Sequence, residues 1–170
     1  MTTGTPKFIA SLISASGGKV VGRTRLQKMV CMLNISGYDV GFDFSYHHYG
    51  PYSEDLSFAV SDAHALGLIQ EEKRHTDWGT RYSVYEARQE VDSDEIATIS
   101  PLLEVMRDAD SVELELAVTA AFLKADGVDS PWDEVRRRKS QKATDTRIQQ
   151  AQKLYSEIRE ASPLRPLPEL

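Results

Sequence analysis

Apolar residues recur at helical spacing in three segments of the first half of the chain. The spacing predicts a helix from about Pro6 to Ala15, with Thr5 as its N-cap. A second helix is predicted to begin near Thr24, and Ser53 can cap a third. A glycine soon follows each segment and predicts its C-terminal end. The predicted buried faces are Phe8, Ile9, Leu12 and Ile13, then Leu26, Met29, Val30 and Leu33, then Leu56, Ala59, Val60, Ala63 and Leu66.

Alternation of apolar and polar residues predicts strands between and after these helices. Residues 42–46 alternate in the manner of a half-buried strand, and Gly50-Pro51 is expected to form the turn that follows it. Leu68-Ile69 opens another strand, which residues 82–85 complete as a hairpin. Residues 73–80 are predicted to be an exposed connection, because Asp and Gly favour turns.

The second half of the chain has the pattern of helices alone. A helix from Ser93 past Met106 contains Pro101, where a kink or restart is expected. Further helices are predicted to begin at Ser111 and at Ser130-Pro131, and a last one runs from about Thr144 to Glu160. The last helix has one apolar face, which can pack on the protein's own core or on a second copy. Pro163, Pro166 and Pro168 predict an extended, mobile tail.

These elements predict an α+β fold that is mostly helical. Helices followed by a small antiparallel hairpin suggest a winged-helix-like core, and the later helices form a C-terminal extension. The predicted organisation is a first domain over residues 1–90, a helical region over residues 91–162 packed on it, and a proline-rich tail over residues 163–170.

Composition narrows the class of protein. The apolar fraction of 41% and the charged fraction of 27% are typical of a globular domain. Cys31 is the single cysteine, so no intramolecular disulfide is expected, as in a reducing cytoplasm. The opening residues lack the pattern of a signal peptide, and no apolar run has the length of a membrane span. We therefore expect a cytoplasmic protein that does not associate with membranes.

Enzyme chemistry has little support in the sequence. His47 and His48 are adjacent on a predicted strand, so their side chains should point to opposite faces, and no zinc-binding spacing is present. The chain contains neither a nucleophile elbow nor a phosphate-binding glycine loop, and no carboxylate stands out as isolated in an apolar run. We expect no enzyme activity, metal or cofactor. The alternative is an enzyme whose site is assembled from loops around His47, His48 or His75.

Nucleic-acid binding is a second alternative, which the charges disfavour. The net charge is −6, and the predicted helix after Ser53 carries acidic side chains and no lysine or arginine. A DNA-binding regulator would need its basic residues to form one contiguous face. Those residues are Arg23, Arg25, Lys28, Lys73, Arg74 and the run Arg136, Arg137, Arg138 and Lys139. That run is either a solvated helix face or a docking patch for an acidic partner, such as the chain's own middle region.

A protein-binding surface fits the pattern better. Tyrosines flank Gly50-Pro51, and tyrosine on an exposed turn offers rigid contact area of the kind that interfaces use. Acidic residues follow immediately in the next predicted helix. The candidate interaction surface is Tyr49, Gly50, Pro51, Tyr52, Glu54 and Asp55.

Three motifs in this order resemble a known family. They are Gly-Arg-Thr-Arg-Leu-Gln-Lys at 22–28, Tyr-Gly-Pro-Tyr-Ser at 49–53 with Leu56, and Gly-Leu-Ile at 67–69. The chain resembles the YwgA-like proteins over residues 5–86 and is more distantly similar to SocA-like (Panacea) antitoxin domains. The motif positions include Arg23, Arg25, Gln27 and Lys28, and Gln27 and Lys28 are expected to hold the Gly-Pro segment by hydrogen bonds.

The resemblance implies how such a protein acts. SocA-like proteins bind a cognate toxin and neutralise it, or deliver it to a protease. We therefore expect a non-enzymatic interaction module, antitoxin- or adaptor-like, whose partner is a protein such as a toxin or a protease substrate. Homo-oligomerisation is left open by the sequence.

Overall fold

The computed structural model describes residues 3–90, 93–162 and 164–170. The elements of the first half, in chain order, are α1 (Pro6–Ala15), β1 (Lys19–Val21), α2 (Arg23–Ile35), β2 (Ser45–His47), β3 (Gly50–Tyr52), α3 (Glu54–Ala65), β4 (Ile69–His75) and β5 (Arg81–Ala87). Those of the second half are α4 (Asp94–Asp108), α5 (Ser111–Ala125), α6 (Pro131–Arg138) and α7 (Asp145–Ala161).

The fold is α+β and mostly helical, as the sequence predicts. Two small antiparallel sheets accompany the helices: a three-stranded sheet of order β1-β5-β4 and the hairpin β2-β3. The predicted caps form, because the Thr5 hydroxyl accepts from the Phe8 amide and the Ser53 hydroxyl from the Leu56 amide. Ser130 precedes α6 without a side-chain cap hydrogen bond. Within the described residues, no helix is both long and apolar enough to span a bilayer.

Helix α5 lies at the centre of the core. It is buried on nearly all sides, which is expected of a helix that is apolar around its circumference. Helix α2 packs on one side of α5 and α7 on another, so α5 contacts elements from both halves of the chain. The apolar face of α7, from Ile148 to Ile158, is buried within this one chain rather than left open for a second copy.

The turn between β2 and β3 differs from the prediction. Gly50 and Pro51 do not form it; they belong to β3, and His48 and Tyr49 are the turn residues. Neither turn residue has a positive φ, whereas Gly50 has φ +86°, so the glycine takes the left-handed conformation that closes the hairpin. The predicted strand over residues 42–46 begins only at Ser45.

Other local predictions were also wrong. Leu66 lies at the C-terminal end of α3 and is 67% exposed, because the chain leaves the helix before this residue can turn toward the core. Strand β4 continues to His75, so the exposed connection is shorter than predicted. Strand β1 was not predicted; it has three residues and pairs with β5. Helix α4 runs through Pro101 without a restart.

The C-terminal tail is packed against the body of the protein. Leu167 is buried, and the Tyr155 hydroxyl donates to the Pro168 carbonyl over 2.7 Å. Arg165 donates to the Ile35 carbonyl at the end of α2. The prediction of a mobile tail is therefore wrong for residues 164–170, and Pro163 lies outside the described residues.

Candidate functional site

Two motif residues on α2 hold the segment that carries the tyrosines. The Gln27 side-chain amide donates to the Ser53 carbonyl and accepts from the Ser53 amide, both over 2.9 Å. The Lys28 ammonium donates to the Pro51 carbonyl over 2.8 Å. These are the hydrogen bonds that the motif was expected to make. Because Gln27 and Lys28 are themselves buried, they fix β3 and the start of α3 onto α2.

The two motif arginines have structural partners as well. Arg25 donates to the carbonyls of Met106, Arg107 and Ala109, at the C-terminal end of α4. A cation there satisfies carbonyls that lack a helical partner. A hydrogen bond with the Tyr85 hydroxyl is the main cause that raises the pKa of Arg23. The motif thus connects α2 to three separate parts of the molecule.

A cluster of charged side chains lies beneath β3. We call it the lysine cluster, and it consists of Lys28, Lys139 and Lys142 around Glu115. Lys139 Nζ lies 2.6 Å from Glu115 Oε1, and Lys142 Nζ lies 2.9 Å from Glu115 Oε2. The Glu115 and Lys139 side chains are only 4% and 5% exposed. Gly50 touches this cluster, since a Cβ there would lie 3.6 Å from Lys28 Cε and 3.7 Å from Lys139 Cε.

Burial shifts the pKa of Lys28, a member of the lysine cluster, and the pKa of its neighbour Cys31. Burial lowers the pKa of Lys28 to about 8, although attraction to Glu115 acts in the opposite direction. Lys139 and Lys142 add to the lowering by repulsion. Burial also raises the pKa of Cys31 to about 12, so this cysteine is an inert core residue, as expected from its sequence context.

The outer side of the same segment is exposed. We call His48, Tyr49, Tyr52, Glu54 and Asp55 the tyrosine turn. Tyr49 is 59% exposed, and Lys142 Nζ lies 5.1 Å from the centre of its ring. Tyr52 is half-buried and its hydroxyl is 2.6 Å from Ser57 Oγ, whereas Glu54 and Asp55 are exposed. Gly50 and Pro51 are buried, so they support the candidate surface rather than form part of it.

The chain is similar to one curated protein over part of its length. It is 32% identical over 76 residues to "Uncharacterized protein YwgA" of Bacillus subtilis (strain 168). The chain resembles YwgA. The match covers 44% of this chain and 46% of that protein, so the chain spans about half the length of this relative. No family model matches the chain.

The basic run near α6 does not form one free cationic surface. Arg136 pairs with Asp145 over 2.7 Å, and both Arg137 and Arg138 pair with Glu134. The Arg138 guanidinium also lies 4.5 Å from the centre of the Tyr46 ring. Lys139 is buried against Glu115, which belongs to the middle region that the sequence suggested as an acidic partner.

The histidines do not assemble into a site among the described residues. His47 Nε2 lies 2.9 Å from Ser45 Oγ, and His48 contacts the Tyr49 ring edge-on. Three surface cavities, of about 540, 330 and 350 Å³, have no histidine in their linings. No group of three His, Cys, Asp or Glu residues within the described part of the chain is arranged to hold a metal ion.

Sequence reasoning did not predict the pairing of buried Glu115 with Lys139 and Lys142. Glu115 lies between Leu114 and Leu116 in α5, and its burial was not predicted from the sequence. A carboxylate between two leucines of an apolar helix is the sequence signal that could have indicated a buried and paired charge. Lys142 gave no local signal, since its role depends on the loop after α6 folding back onto α5.

Proposed function

We propose that this protein is a non-enzymatic interaction module that binds a partner protein through the tyrosine turn. The observation that carries the proposal is the combination of an exposed Tyr49 with a buried support beneath it. A tyrosine that is held in place before binding loses little conformational entropy in the complex. The acidic residues at the start of α3 extend the surface and favour a partner with basic groups beside an apolar pocket.

The rigidity of the turn supports this proposal. Three hydrogen bonds with the Gln27 and Lys28 side chains fix the backbone on the C-terminal side of Tyr49. The Lys142 ammonium lies over the Tyr49 ring, and Lys142 is itself paired with buried Glu115. The Tyr49 ring therefore contacts a paired lysine on one side while most of its surface stays in water.

The charges favour a protein partner over a nucleic acid. Helix α3 presents Glu54, Asp55 and Asp62 to solvent, and carboxylates repel phosphates. Three of the basic residues that a DNA-binding face would need are engaged inside the protein: Arg25 binds carbonyls, Lys28 binds Pro51, and Lys139 binds Glu115. A DNA-binding regulator remains the less favoured alternative.

The kind of partner follows from the family resemblance. The Leu-Gln-Lys run at 26–28, followed by the Gly-Pro segment, resembles the pattern of SocA-like antitoxin domains, and we extend the toxin-binding or adaptor role of that group to this chain. The partner would then be a cytoplasmic protein, either a toxin that is neutralised or a substrate that is passed to a protease.

The test is purification of the tagged protein from its host at low expression, followed by reconstitution of the complex from purified components. We expect a stoichiometric protein partner. Truncation of a central aromatic contact typically weakens an interface by about 2 kcal/mol or more, so Tyr49→Ala should weaken binding roughly thirtyfold.

Trp78→Ala is the matched control, because it removes another exposed aromatic residue from a turn that is not part of the proposed surface. Equal loss of binding in both variants would contradict the proposed position of the interface. Recovery of nucleic acid without a protein partner would contradict the proposal itself and favour the regulator.

A further inference from the structure

Strand β4 forms one edge of the three-stranded sheet. The sheet order is β1-β5-β4, so no strand of the described residues lies on the outer side of β4. Proteins usually shorten an edge strand, cover it, or interrupt it with proline or a bulge. β4 instead has seven residues, Ile69–His75, and contains neither proline nor glycine. Its outer edge therefore keeps the regular geometry of a strand that can be paired.

The register shows which backbone groups of β4 face outward. The Thr76 amide donates to the Thr80 carbonyl at one end of the hairpin, and the Arg88 amide donates to the Leu68 carbonyl at the other. Hydrogen-bonded pairs alternate along an antiparallel ladder, so the even-numbered residues of β4 bond to β5. The amides and carbonyls of the odd-numbered residues consequently point away from β5.

One outward-facing amide of β4 already has an acceptor. The Glu71 amide donates to Nδ1 of His64, near the end of α3, over 3.2 Å. The imidazole nitrogen lies on the side where the carbonyl of a neighbouring strand would accept. The next outward-facing residues are Lys73 and His75, and both are exposed. Among the described residues, no hydrogen bond outside the β4–β5 ladder reaches the amide or carbonyl of either residue.

We propose that the outer edge of β4, over residues 71–75, binds an extended acidic segment of another protein as an additional strand. Lys73 and His75 each present a donor and an acceptor, and alternate residues of a strand lie about 6.6 Å apart. An extended polypeptide has the same repeat and supplies both kinds of group. Four backbone hydrogen bonds can form at these two residues without disturbing the bond between Glu71 and His64.

The charges near the free part of this edge favour an acidic segment. Arg74 is paired with Glu72 over 2.9 Å, whereas no ion pair among the described residues involves Lys73. The Glu71 carboxylate, two residues away on the same face, is attracted to Arg23. A carboxylate opposite Lys73 on the added strand is therefore favourable, and a basic side chain there is unfavourable. The charged residues over 73–81, with histidine neutral, are Lys73, Arg74, Arg81 and Asp77.

Two other occupants fit this edge less well. Phosphates of a nucleic acid accept hydrogen bonds but donate none to the carbonyls of Lys73 and His75. A second copy about a twofold axis would pair Lys73 with His75, because Glu71 is already bonded, and would place the two Arg74 side chains opposite each other. None of these contacts involves Tyr49, so the inference does not rest on the proposed function.

The first test is an NMR titration of the isotope-labelled protein with a hexapeptide of alternating glutamate and valine. Its valine amides are N-methylated to prevent self-association, and its glutamates can lie opposite Lys73 and His75. We expect the amide signals of these two residues to shift and to become protected from hydrogen exchange, with a Kd of about 1 mM for four backbone hydrogen bonds. The Arg74 amide, which belongs to the β5 ladder, is the internal reference.

Two matched peptides identify what is recognised. A peptide that is N-methylated on every amide keeps the side chains but cannot donate to the carbonyls of β4, so it should not bind. A peptide with lysine in place of glutamate keeps the backbone donors, and it should bind more weakly because its charges meet Lys73.

Two protein variants separate the backbone of β4 from its side chain. Lys73→Pro removes an outward-facing amide and leaves the β4–β5 hydrogen bonds in place, since edge strands accept proline where the amide faces solvent. It should remove detectable binding of the glutamate peptide. Lys73→Ala keeps the amide and should weaken binding by no more than about fivefold.

Unchanged Lys73 and His75 signals at about 5 mM peptide, which exceeds the expected Kd, would overturn the proposal. Equal binding of the fully N-methylated peptide would overturn it as well, and this comparison uses the wild-type chain, so it holds even if Lys73→Pro fails to fold. If a single-stranded oligonucleotide shifts the same amides and the peptide does not, the edge binds nucleic acid instead. If both amides are protected in the free protein and it sediments as a dimer, a second copy covers the edge.

Discussion

Gly50 shows how one residue determines the position of the candidate surface. It combines a left-handed φ of +86° with close packing: a Cβ would lie 2.6 Å from Thr119 Oγ1. The glycine lets β3 pack closely on α5, next to the Lys28 and Lys139 side chains. The Gly-Pro motif therefore has a packing reason, in addition to the turn chemistry that the sequence suggested.

Gly50→Ala should destabilise the protein by about 3 kcal/mol or more, because it adds a steric clash to backbone strain. Gly67→Ala is the control: Gly67 also has a positive φ, +73°, but a Cβ there would meet nothing within 4 Å. We expect it to cost only about 1 kcal/mol. Urea denaturation of both variants measures the difference, and equal losses would contradict the packing argument.

Lys28 gives a prediction about pH. Its pKa is about 8 in the folded protein, against an ordinary value of 10.5, so the unfolded chain binds more protons between these values. The contribution of Lys28 to stability therefore rises with pH through this window. The cost of holding its buried charge is fully present below pH 8 and is gone above pH 10.5.

The free energy of unfolding of the wild type, relative to that of Lys28→Met, should increase by roughly 2 kcal/mol between about pH 8 and about pH 10. Taking the difference cancels the contributions of titrating groups that lie far from Lys28 and that both proteins share. A difference that is flat or falls with pH would show that Lys28 is not desolvated in this way.

At the scale of elements, the lysine cluster joins α2, α5 and the segment after α6. Glu115→Ala should destabilise the protein by about 3–5 kcal/mol, since it leaves the Lys139 charge buried without a partner. Adding Lys139→Met to Glu115→Ala should recover part of this loss. Glu157→Ala on the exposed side of α7 is the control, with an expected effect within about 0.5 kcal/mol. Chemical denaturation of the wild type, Glu115→Ala, Lys139→Met and the double variant completes the double-mutant cycle, with Glu157→Ala measured beside them.

Most helices were predictable because their signals are local. Thr5 and Ser53 cap helices whose apolar spacing is visible in the sequence, and the structure has both. Elements whose existence depends on distant residues were missed or misplaced. Strand β1 is only three residues long and exists because it pairs with β5. The hydrogen bonds of Gln27 and Lys28 were expected from the family motif, whereas Glu115 and Lys142 meet only in the folded chain.

At the scale of the whole molecule, the C-terminal tail contacts both α7 and the end of α2. Leu167→Ala should lower stability by about 2 kcal/mol, because Leu167 is 4% exposed and loses apolar burial. Leu164→Ala, at a leucine that is 45% exposed, should change it by less than about 1 kcal/mol. Thermal unfolding of the two variants compares them directly, and equal melting temperatures would contradict the packing of the tail.

The single thiol is a built-in reporter of this core. Cys31 is 1% exposed on α2, and burial raises its pKa to about 12. In the native fold, reagents therefore cannot reach the thiol, and the thiol does not ionise near neutral pH. Alkylation by a maleimide should therefore proceed only when α2 separates from its neighbours. The alkylation rate would measure how often the native protein opens, without any engineered label.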